Sequence, residues 1–148
     1  MTTRDFFVMI KPDGVRRGLI GTIIGRFESR GFGVIDLKMI TPSARLITEH
    51  YEIHKGKTFF DNLIKFSTSG PVVAMRLHGN IDVARKEVGA TIPWSAKKGT
   101  IRGDFANSLP DNLVHCSDTE ESATKEIELW FPDTSDSEEE IDIYRHWT

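Results

Sequence analysis

The chain has 148 residues, 39% of them hydrophobic and 28% charged, which is enough apolar material for one core and predicts a single domain over residues 1–148. Nineteen Lys and Arg residues against 22 Asp and Glu residues give a formal charge of −3, which excludes a general attraction to nucleic acid or to an anionic membrane. The lone cysteine, Cys116, excludes an intrachain disulfide framework. Together with an N-terminal apolar run too short for a signal peptide, it predicts an intracellular, cytoplasmic protein.

The first half of the chain predicts two strands and two helices. Residues 5–10 are a continuous apolar run closed by Lys-Pro-Asp-Gly, which is typical of a buried strand followed by a turn. Apolar residues recur with helical spacing over residues 20–31, and residues 32–40 have the pattern of a second strand. A second helix opens with Thr-Pro-Ser and continues over residues 41–51.

The second half predicts further helices and strands around one irregular segment. Residues 58–70 form a short helix, residues 71–77 a third strand, and residues 81–88 a helix that Asn80 caps. Residues 89–109 have the period of neither a strand nor a helix. Because a long segment without pattern inside a compact domain is usually functional, we interpret it as a functional loop.

The C-terminal part predicts the last two elements and a tail. Residues 112–115 form a short fourth strand, and residues 122–131 a helix whose apolar side faces the core. The order of elements favours an α+β sandwich in which the helices cover one face of the sheet. Residues 133–148 are an acidic extension, typical of a solvated segment, with an aromatic end that could dock on a neighbouring surface.

Polar side chains at element ends and in the irregular loop are the candidate functional groups. Lys11 closes the first strand, Arg85 lies on a helical turn, and Arg102 lies between glycines. Three cations from distant segments can hold a polyphosphate, since arginine offers a planar fork of donors and lysine a point charge. His115 ends the fourth strand beside small polar residues.

Each of these residues also has an ordinary structural explanation. A lone histidine after an apolar strand is more often structural than catalytic. The arginines could be surface charges whose ion pairs contribute little. Phe59 could belong to the core, and Tyr51 could be a helix residue with a solvated hydroxyl. Taken singly, none of them carries a functional claim.

Taken together, the motifs resemble those of a known family. The chain is similar to nucleoside diphosphate kinases over nearly its whole length, through seven segments in the family's order: FFVMIKPDGVRRGLIG, HY, FF, SGPVVAM, GTIRGDF, NLVHCSD and ESATKEIELWF. The resemblance implies an α+β fold, with a ferredoxin-like antiparallel four-stranded sheet covered by helices. It also implies an enzyme that assembles as a homohexamer or a tetramer.

The resemblance further implies a ping-pong transfer of the terminal phosphoryl group of a nucleoside triphosphate to a nucleoside diphosphate. His115 would be the nucleophile and would carry a phosphohistidine, a role that suits an imidazole that is neutral near neutral pH. Glu126 would accept a hydrogen bond from the other ring nitrogen and so hold one tautomer. The Ser117 hydroxyl would lie beside the site, and Lys11 and Tyr51 complete the implied catalytic set.

Nucleotide-binding residues follow from the same resemblance. Phe59 would stack on the base with Leu109 on its other side, and stacking predicts broad base specificity. Asn112 would bond the ribose, and Mg²⁺ would arrive bridging the phosphates, because no cage of carboxylates is visible in the sequence. The positions that would hold sugar hydroxyls and phosphate oxygens are Lys11, Tyr51, Arg85, Thr91 and Arg102.

The sequence departs from the family pattern in four places. The segment HGNIDVARKEVG is shorter than usual, which could move Arg85 relative to the phosphates. Ile92 and Trp94 occupy a loop that family members use for subunit contacts. Cys116 replaces a glycine and is either a small buried residue or a thiol open to oxidative inhibition. The tail after Pro132 diverges most.

These departures leave two alternatives to an active kinase. One is a catalytically weak nucleotide-binding or regulatory module on the same fold, whose nucleic-acid version would require strongly salt-dependent binding. The other is a phosphohistidine enzyme that gives its phosphate to water. Nucleic acid is not expected as the main ligand, and no membrane association is expected.

Overall fold

Four strands form one antiparallel sheet in the order β2-β3-β1-β4, and the structure, a computed structural model, describes residues 2–133. This is the strand order of a ferredoxin-like α+β fold. The two central strands, β3 and β1, are mostly buried, because each is flanked by a neighbouring strand on both sides. The strands are β1 (Arg4–Ile10), β2 (Gly33–Ile40), β3 (Val72–Gly79) and β4 (Val114–Cys116).

Seven α-helices and two short 3₁₀ helices connect the strands within residues 2–133. The 3₁₀ helices are Glu52–His54 and Pro93–Ser95. The α-helices are α1 (Pro12–Arg16), α2 (Ile20–Ser29), α3 (Ala44–His50), α4 (Phe60–Ser67), α5 (Ile81–Val88), α6 (Ile101–Phe105) and α7 (Glu120–Trp130).

Helices cover both faces of the sheet, so the prediction that they cover one face was wrong. Phe6 and Val8 of β1 pack in one core cluster with residues of α2 and α5. Phe7 and Met9 point the other way, into a second cluster built with α3, α4 and α7. A strand that is apolar at consecutive positions requires apolar cover on both sides. The continuous apolar run of β1 therefore already indicated that helices cover both faces of the sheet.

The main strands and helices agree with the sequence prediction, and local capping explains several of their starts. Asn80 caps α5, as predicted, by accepting a hydrogen bond from the backbone N–H of Val83 at 3.0 Å. The helix α7 begins two residues before its predicted start. Thr119 accepts from the backbone N–H of Ser122 at 3.0 Å and forms a capping box with it.

Three local predictions were wrong. The segment after β1 is the short helix α1 rather than a turn, because Pro12 at its first position is preorganised for a helix. The irregular segment 89–109 contains a 3₁₀ helix and α6. Strand β4 begins at Val114 instead of residue 112, because Leu113 has a φ of 76° and cannot extend the strand.

Residues 134–148 lie outside the part of the chain that the structure describes, and so do the predicted acidic run and the aromatic end of the tail. Within residues 2–133, no helix combines the length and the apolar character needed to cross a membrane.

Candidate active site

A cavity of about 720 Å³ opens beside β4 and brings together residues from distant parts of the chain, between Lys11 and Leu129. We call it the His115 cavity. Every predicted site residue except Ser117 lines it, and Ser117 is fully buried behind Glu126. The predicted residues that line the cavity are Lys11, Tyr51, Phe59, Arg85, Thr91, Arg102, Leu109, Asn112, His115 and Glu126.

His115 is held by a carboxylate from α7. It lies on β4 opposite Met9 of β1, and its Nε2 lies 3.0 Å from Oε2 of Glu126. The other carboxylate oxygen accepts from the Ser117 hydroxyl at 2.7 Å, and the backbone N–H of Phe7 donates to that hydroxyl at 3.0 Å. An ionised carboxylate only accepts hydrogen bonds, so the imidazole proton lies on Nε2. Nδ1 therefore keeps its lone pair, and no residue in 2–133 bonds it.

The orientation of α7 explains why Glu126 reaches this histidine. Trp130 is one helical turn after Glu126, on the same face of the helix. Its indole stacks on Phe7 of β1 with ring centroids 5.1 Å apart, and it is 1% exposed. Packing of Trp130 against the central strand therefore turns Glu126 toward β4.

Lys11 is an almost fully buried cation at the end of β1. Its Nζ donates to the side-chain oxygen of Asn112 at 2.7 Å and to the backbone oxygen of Pro110 at 3.2 Å. Burial, helped by the nearby Arg102 guanidinium, lowers the pKa of Lys11 to about 7. An anion in the cavity would stabilise the charged form of this amine.

Arg102 clamps the backbone around His115. Its guanidinium donates to three carbonyl oxygens, those of Asn112 at 3.2 Å, Gly89 at 3.1 Å and Val114 at 2.6 Å. Burial, followed by the nearby Arg85, lowers the pKa of Arg102 to about 10. The structure thus gives this arginine a positioning task that the sequence did not suggest.

The shortened segment HGNIDVARKEVG contains α5, and Arg85 on that helix lines the His115 cavity. Its guanidinium donates to the carbonyl oxygen of Cys116 at 3.3 Å, one residue after the histidine. The Cys116 thiol itself is 5% exposed, and burial raises its pKa to about 12. A buried, protonated thiol is a poor target for oxidation, so the structure favours the reading of Cys116 as a small buried residue.

The outer end of the cavity is apolar and open. Phe59 and Leu109 both line it and are 48% and 45% exposed. Thr91 is exposed nearby, and its backbone oxygen accepts from the side-chain amide of Asn112 at 2.8 Å. With both ends of its amide bonded, Asn112 links Lys11 to the loop that carries Thr91.

Two residues at the site were missed from the sequence. His50 ends α3 with its ring centroid 4.4 Å from that of His115. Asp13 is buried, and burial raises its pKa. Its Oδ2 accepts from the backbone N–H of Leu113 at 3.1 Å, which supports the positive φ just before β4. The HY motif could have pointed to His50. For Asp13, the sequence offered no signal except its position in the KPDG segment.

The predicted site also contains an unsatisfied hydroxyl. Tyr51 is 7% exposed, and its OH is buried without a hydrogen-bond partner among residues 2–133. Burial raises the pKa of this phenol against a smaller lowering effect of the neighbouring Ser67 hydroxyl, so it stays protonated at neutral pH. The OH is therefore available as a donor to an anionic ligand.

Comparison with known proteins identifies the family. An antiparallel sheet in this order defines a ferredoxin-like fold, and the half-buried histidine with its carboxylate and cations defines a candidate phosphate site. The chain belongs to the nucleoside diphosphate kinase family, a family of enzymes, because the model of that family matches residues 4–135. The family resemblance and the fold predicted from it are thereby confirmed.

Individual relatives agree. Proteins named nucleoside diphosphate kinase include one from Synechococcus elongatus, 52% identical over 127 residues, covering 84% of this chain and 85% of that protein. Another, from an Exiguobacterium species, is 50% identical over 131 residues, covering 87% of this chain and 94% of that protein.

Solved structures of the family superimpose closely on this chain. The apo nucleoside diphosphate kinase of Encephalitozoon cuniculi is similar with a TM-score of 0.89 at 37% identity, over 97% of both chains. A nucleoside diphosphate kinase family protein from Babesia bovis has a TM-score of 0.85 at 41% identity, over 95% of this chain and 99% of that one.

Proposed function

We propose that the chain transfers the terminal phosphoryl group of a nucleoside triphosphate such as ATP to a nucleoside diphosphate through a phosphohistidine at His115. The observation that carries this proposal is the contact between Nε2 of His115 and Glu126 at 3.0 Å. It leaves Nδ1 as the nucleophilic nitrogen in a cavity lined by cations. Membership of the nucleoside diphosphate kinase family supports the same reaction.

In the first half-reaction, the lone pair of His115 Nδ1 forms a bond to the γ-phosphorus. The bond between that phosphorus and the β,γ-bridging oxygen breaks, and the nucleoside diphosphate leaves with the electron pair. Glu126 stabilises the positive charge that develops on the imidazole, and Ser117 holds Glu126 in place. A second diphosphate then attacks the phosphohistidine, and the same steps run in reverse.

Charge neutralisation is the main task of the remaining groups, because phosphoryl transfer requires little other covalent chemistry from the protein. Lys11 and Arg85 face the phosphates as cations, and the Tyr51 hydroxyl is a neutral donor. Phosphate charge would raise the pKa of Lys11 above the value of about 7 that it has in the empty protein. Three N–H groups of the Arg102 guanidinium donate to backbone carbonyl oxygens, and its remaining N–H groups would donate to the phosphates.

The base and sugar would bind at the outer end of the His115 cavity. Phe59 and Leu109 hold the base through its faces, which supports broad specificity for purines and pyrimidines. Asn112 and Thr91 lie where the ribose and the phosphates would pass. Stacking on the faces of a base does not read its edge.

Magnesium is proposed as part of the substrate, carried on the nucleotide phosphates. The one cluster of three candidate ligands in residues 2–133 joins His50, His115 and Glu126. Two imidazoles and one carboxylate suit a transition metal, whereas Mg²⁺ prefers oxygen ligands and usually comes with substrate phosphates. The bound ion would neutralise phosphate charge.

We further propose a homo-oligomer, a hexamer or a tetramer. Leu37 and Met39 of the edge strand β2 are 46% and 52% exposed, and Trp94 is 75% exposed. Apolar side chains exposed on an edge strand are suitable for contact with a second copy. Light scattering of the purified chain tests the oligomeric state. The single domain over residues 1–148 and the cytoplasmic location stay predictions.

The experiment that tests the proposed reaction is incubation with γ-labelled ATP and Mg²⁺, followed by a chase with unlabelled GDP or a pyrimidine diphosphate. We expect acid-labile label on the protein that moves to the acceptor as a triphosphate. His115→Ala should abolish labelling. His54→Ala should keep it, although His54 lines the same cavity.

The alternatives predict different results in the same experiment. Nucleotide binding without labelling would contradict the proposal and favour a binding module. Label released as inorganic phosphate in the presence of diphosphate would favour a hydrolase.

A further inference from the structure

His50 is a second imidazole packed against the His115 ring, and the proposed reaction has not used it. It ends α3, lines the His115 cavity, and meets the His115 ring edge to face at 77° with centroids 4.4 Å apart. One ring nitrogen of His50 lies within 4.8 Å of both a ring nitrogen of His115 and a carboxylate oxygen of Glu126. Both histidines line the same cavity, so His50 lies beside the ring that would carry the phosphoryl group.

The contact with Trp130 fixes the tautomer of His50. The indole N–H of Trp130 donates to Nδ1 of His50 at 3.0 Å. Indole has no acceptor, so Nδ1 must hold the lone pair and the ring proton must lie on Nε2. Trp130 cannot easily move away, because it is buried and stacked on Phe7. His50 can gain a second proton only by losing this hydrogen bond.

The Nε2–H of His50 is a buried donor without an acceptor in residues 2–133. Buried polar groups are nearly always hydrogen-bonded, so an unpaired donor beside a reactive group indicates a ligand that supplies the acceptor. Burial, followed by the charge of His115, lowers the pKa of His50 well below its usual value, in agreement with a neutral ring. A neutral ring keeps its Nε2–H donor at neutral pH.

A metal ion is the competing occupant of this cluster. Binding a metal at Nε2 of His50 would need a lone pair on that nitrogen, whereas the Trp130 hydrogen bond places the lone pair on Nδ1. The Glu126 carboxylate is already bonded by His115 and Ser117. A phosphoryl oxygen, which only accepts hydrogen bonds, fits the available donor and a metal ion does not.

We propose that His50 is a further catalytic residue, whose Nε2–H donates a hydrogen bond to a non-bridging oxygen of the phosphoryl group as it moves to and from Nδ1 of His115. This inference rests on the proposed phosphohistidine. His50 keeps its proton throughout. The only bonds that form and break are the N–P bond at His115 and the P–O bond to the nucleotide.

The test compares two substitutions in the full chain. His50→Phe keeps an aromatic ring and removes the donor, while His50→Gln keeps an N–H donor on a side chain of similar length. We expect His50→Phe to slow phosphorylation of His115 by ATP in a single turnover by about 100- to 1000-fold, the range for loss of one donor to a transition-state oxyanion. His50→Gln should recover part of that rate. Nucleotide dissociation constants should stay within about twofold, because the contact forms mainly in the transition state.

A purely structural role for His50 gives a different pattern. In that case the two variants would lose the same activity, or would lose nucleotide affinity and resistance to urea along with it, and the proposal would be overturned. Because the donor does not titrate, the ratio of wild-type to His50→Phe rates should also be constant from pH 6 to pH 9. A ratio that changes with pH would mean proton transfer by His50 and would equally overturn the proposal. His78→Phe, at a histidine outside the lining of the His115 cavity, serves as the matched control and should keep the wild-type rate.

A second measurement needs no variant. Nitrogen-15 NMR of wild-type protein should find His50 with Nε2 protonated and Nδ1 bare, and the Nε2–H resonance should shift when His115 is phosphorylated. The opposite tautomer, or an unchanged resonance, would refute the proposal. Absence of label on wild-type His115 would instead refute the proposed function, so the two failures are distinguishable.

Discussion

Replacement of Lys11 by methionine tests the electrostatics of the site through the stability of the fold. The pKa of this amine is lowered from 10.5 to about 7 because the folded protein buries it. Between these two values the unfolded chain binds a proton that the folded chain does not. The free energy of unfolding therefore rises with pH across this window, as burial of the lysine becomes less costly.

The magnitude follows from the width of the window. At about 1.4 kcal/mol for each pH unit, less the partial titration at the two ends, the wild-type protein should gain about 3.5 kcal/mol of stability between pH 7 and pH 10 from this group alone. Lys11→Met has no charge to bury and should lack this gain. Its lost hydrogen bonds to Asn112 and Pro110 lower stability at every pH and do not affect the slope.

The assay is urea unfolding of both proteins at pH 7, 8, 9 and 10 without nucleotide. Subtracting the two curves removes the titration of every group that they share. For Lys98→Met, at an exposed position, the free energy of unfolding should change with pH as it does in the wild type. If the free energy of unfolding of Lys11→Met rose with pH as steeply as that of the wild type, the lysine would keep its ordinary pKa in the fold, and the reasoning would be refuted.

Two further substitutions test other parts of the site. Arg102→Lys should cost about 2–4 kcal/mol in urea unfolding, because lysine cannot bridge the three carbonyl oxygens that the guanidinium bonds. An effect no larger than that of the exposed Arg45→Lys would contradict the clamp. Phe59→Ala should raise KM for purine and pyrimidine nucleotides alike by about tenfold or more, as expected for loss of one stacking contact. In steady-state assays against a Trp94→Ala control, a change confined to one base class would contradict stacking on the base.

The elements of the fold were predictable wherever local pattern decides structure. The apolar run of β1, the helical spacing of α2 and the Asn80 cap of α5 all act within a few residues. Predictions failed where a longer-range contact decides. The helix α6 has no apolar period of its own and exists because Thr100 caps it and Gly103 fits against the backbone oxygen of Lys97, where a Cβ would lie 1.8 Å away.

Resemblance to a known family supplied the candidate site residues, and the structure brings them to one cavity. It did not supply their hydrogen bonds. Arg102 was expected to contact phosphate, yet its guanidinium mainly holds backbone carbonyls. His50 received no role from the sequence, because its importance depends on the Trp130 bond across 80 residues of chain.

By itself, the sequence determined the strands, most helices, the family and the residue types at the site, because periodicity, caps and motifs are properties of neighbouring residues. Tertiary structure decided which ring nitrogen of His115 is free, the lowered pKa of Lys11 and the tautomer of His50. Each of these depends on burial and on a partner brought near by the packing of α3 and α7 against the sheet. Protonation and tautomer are set by such surroundings, which the order of residues does not display.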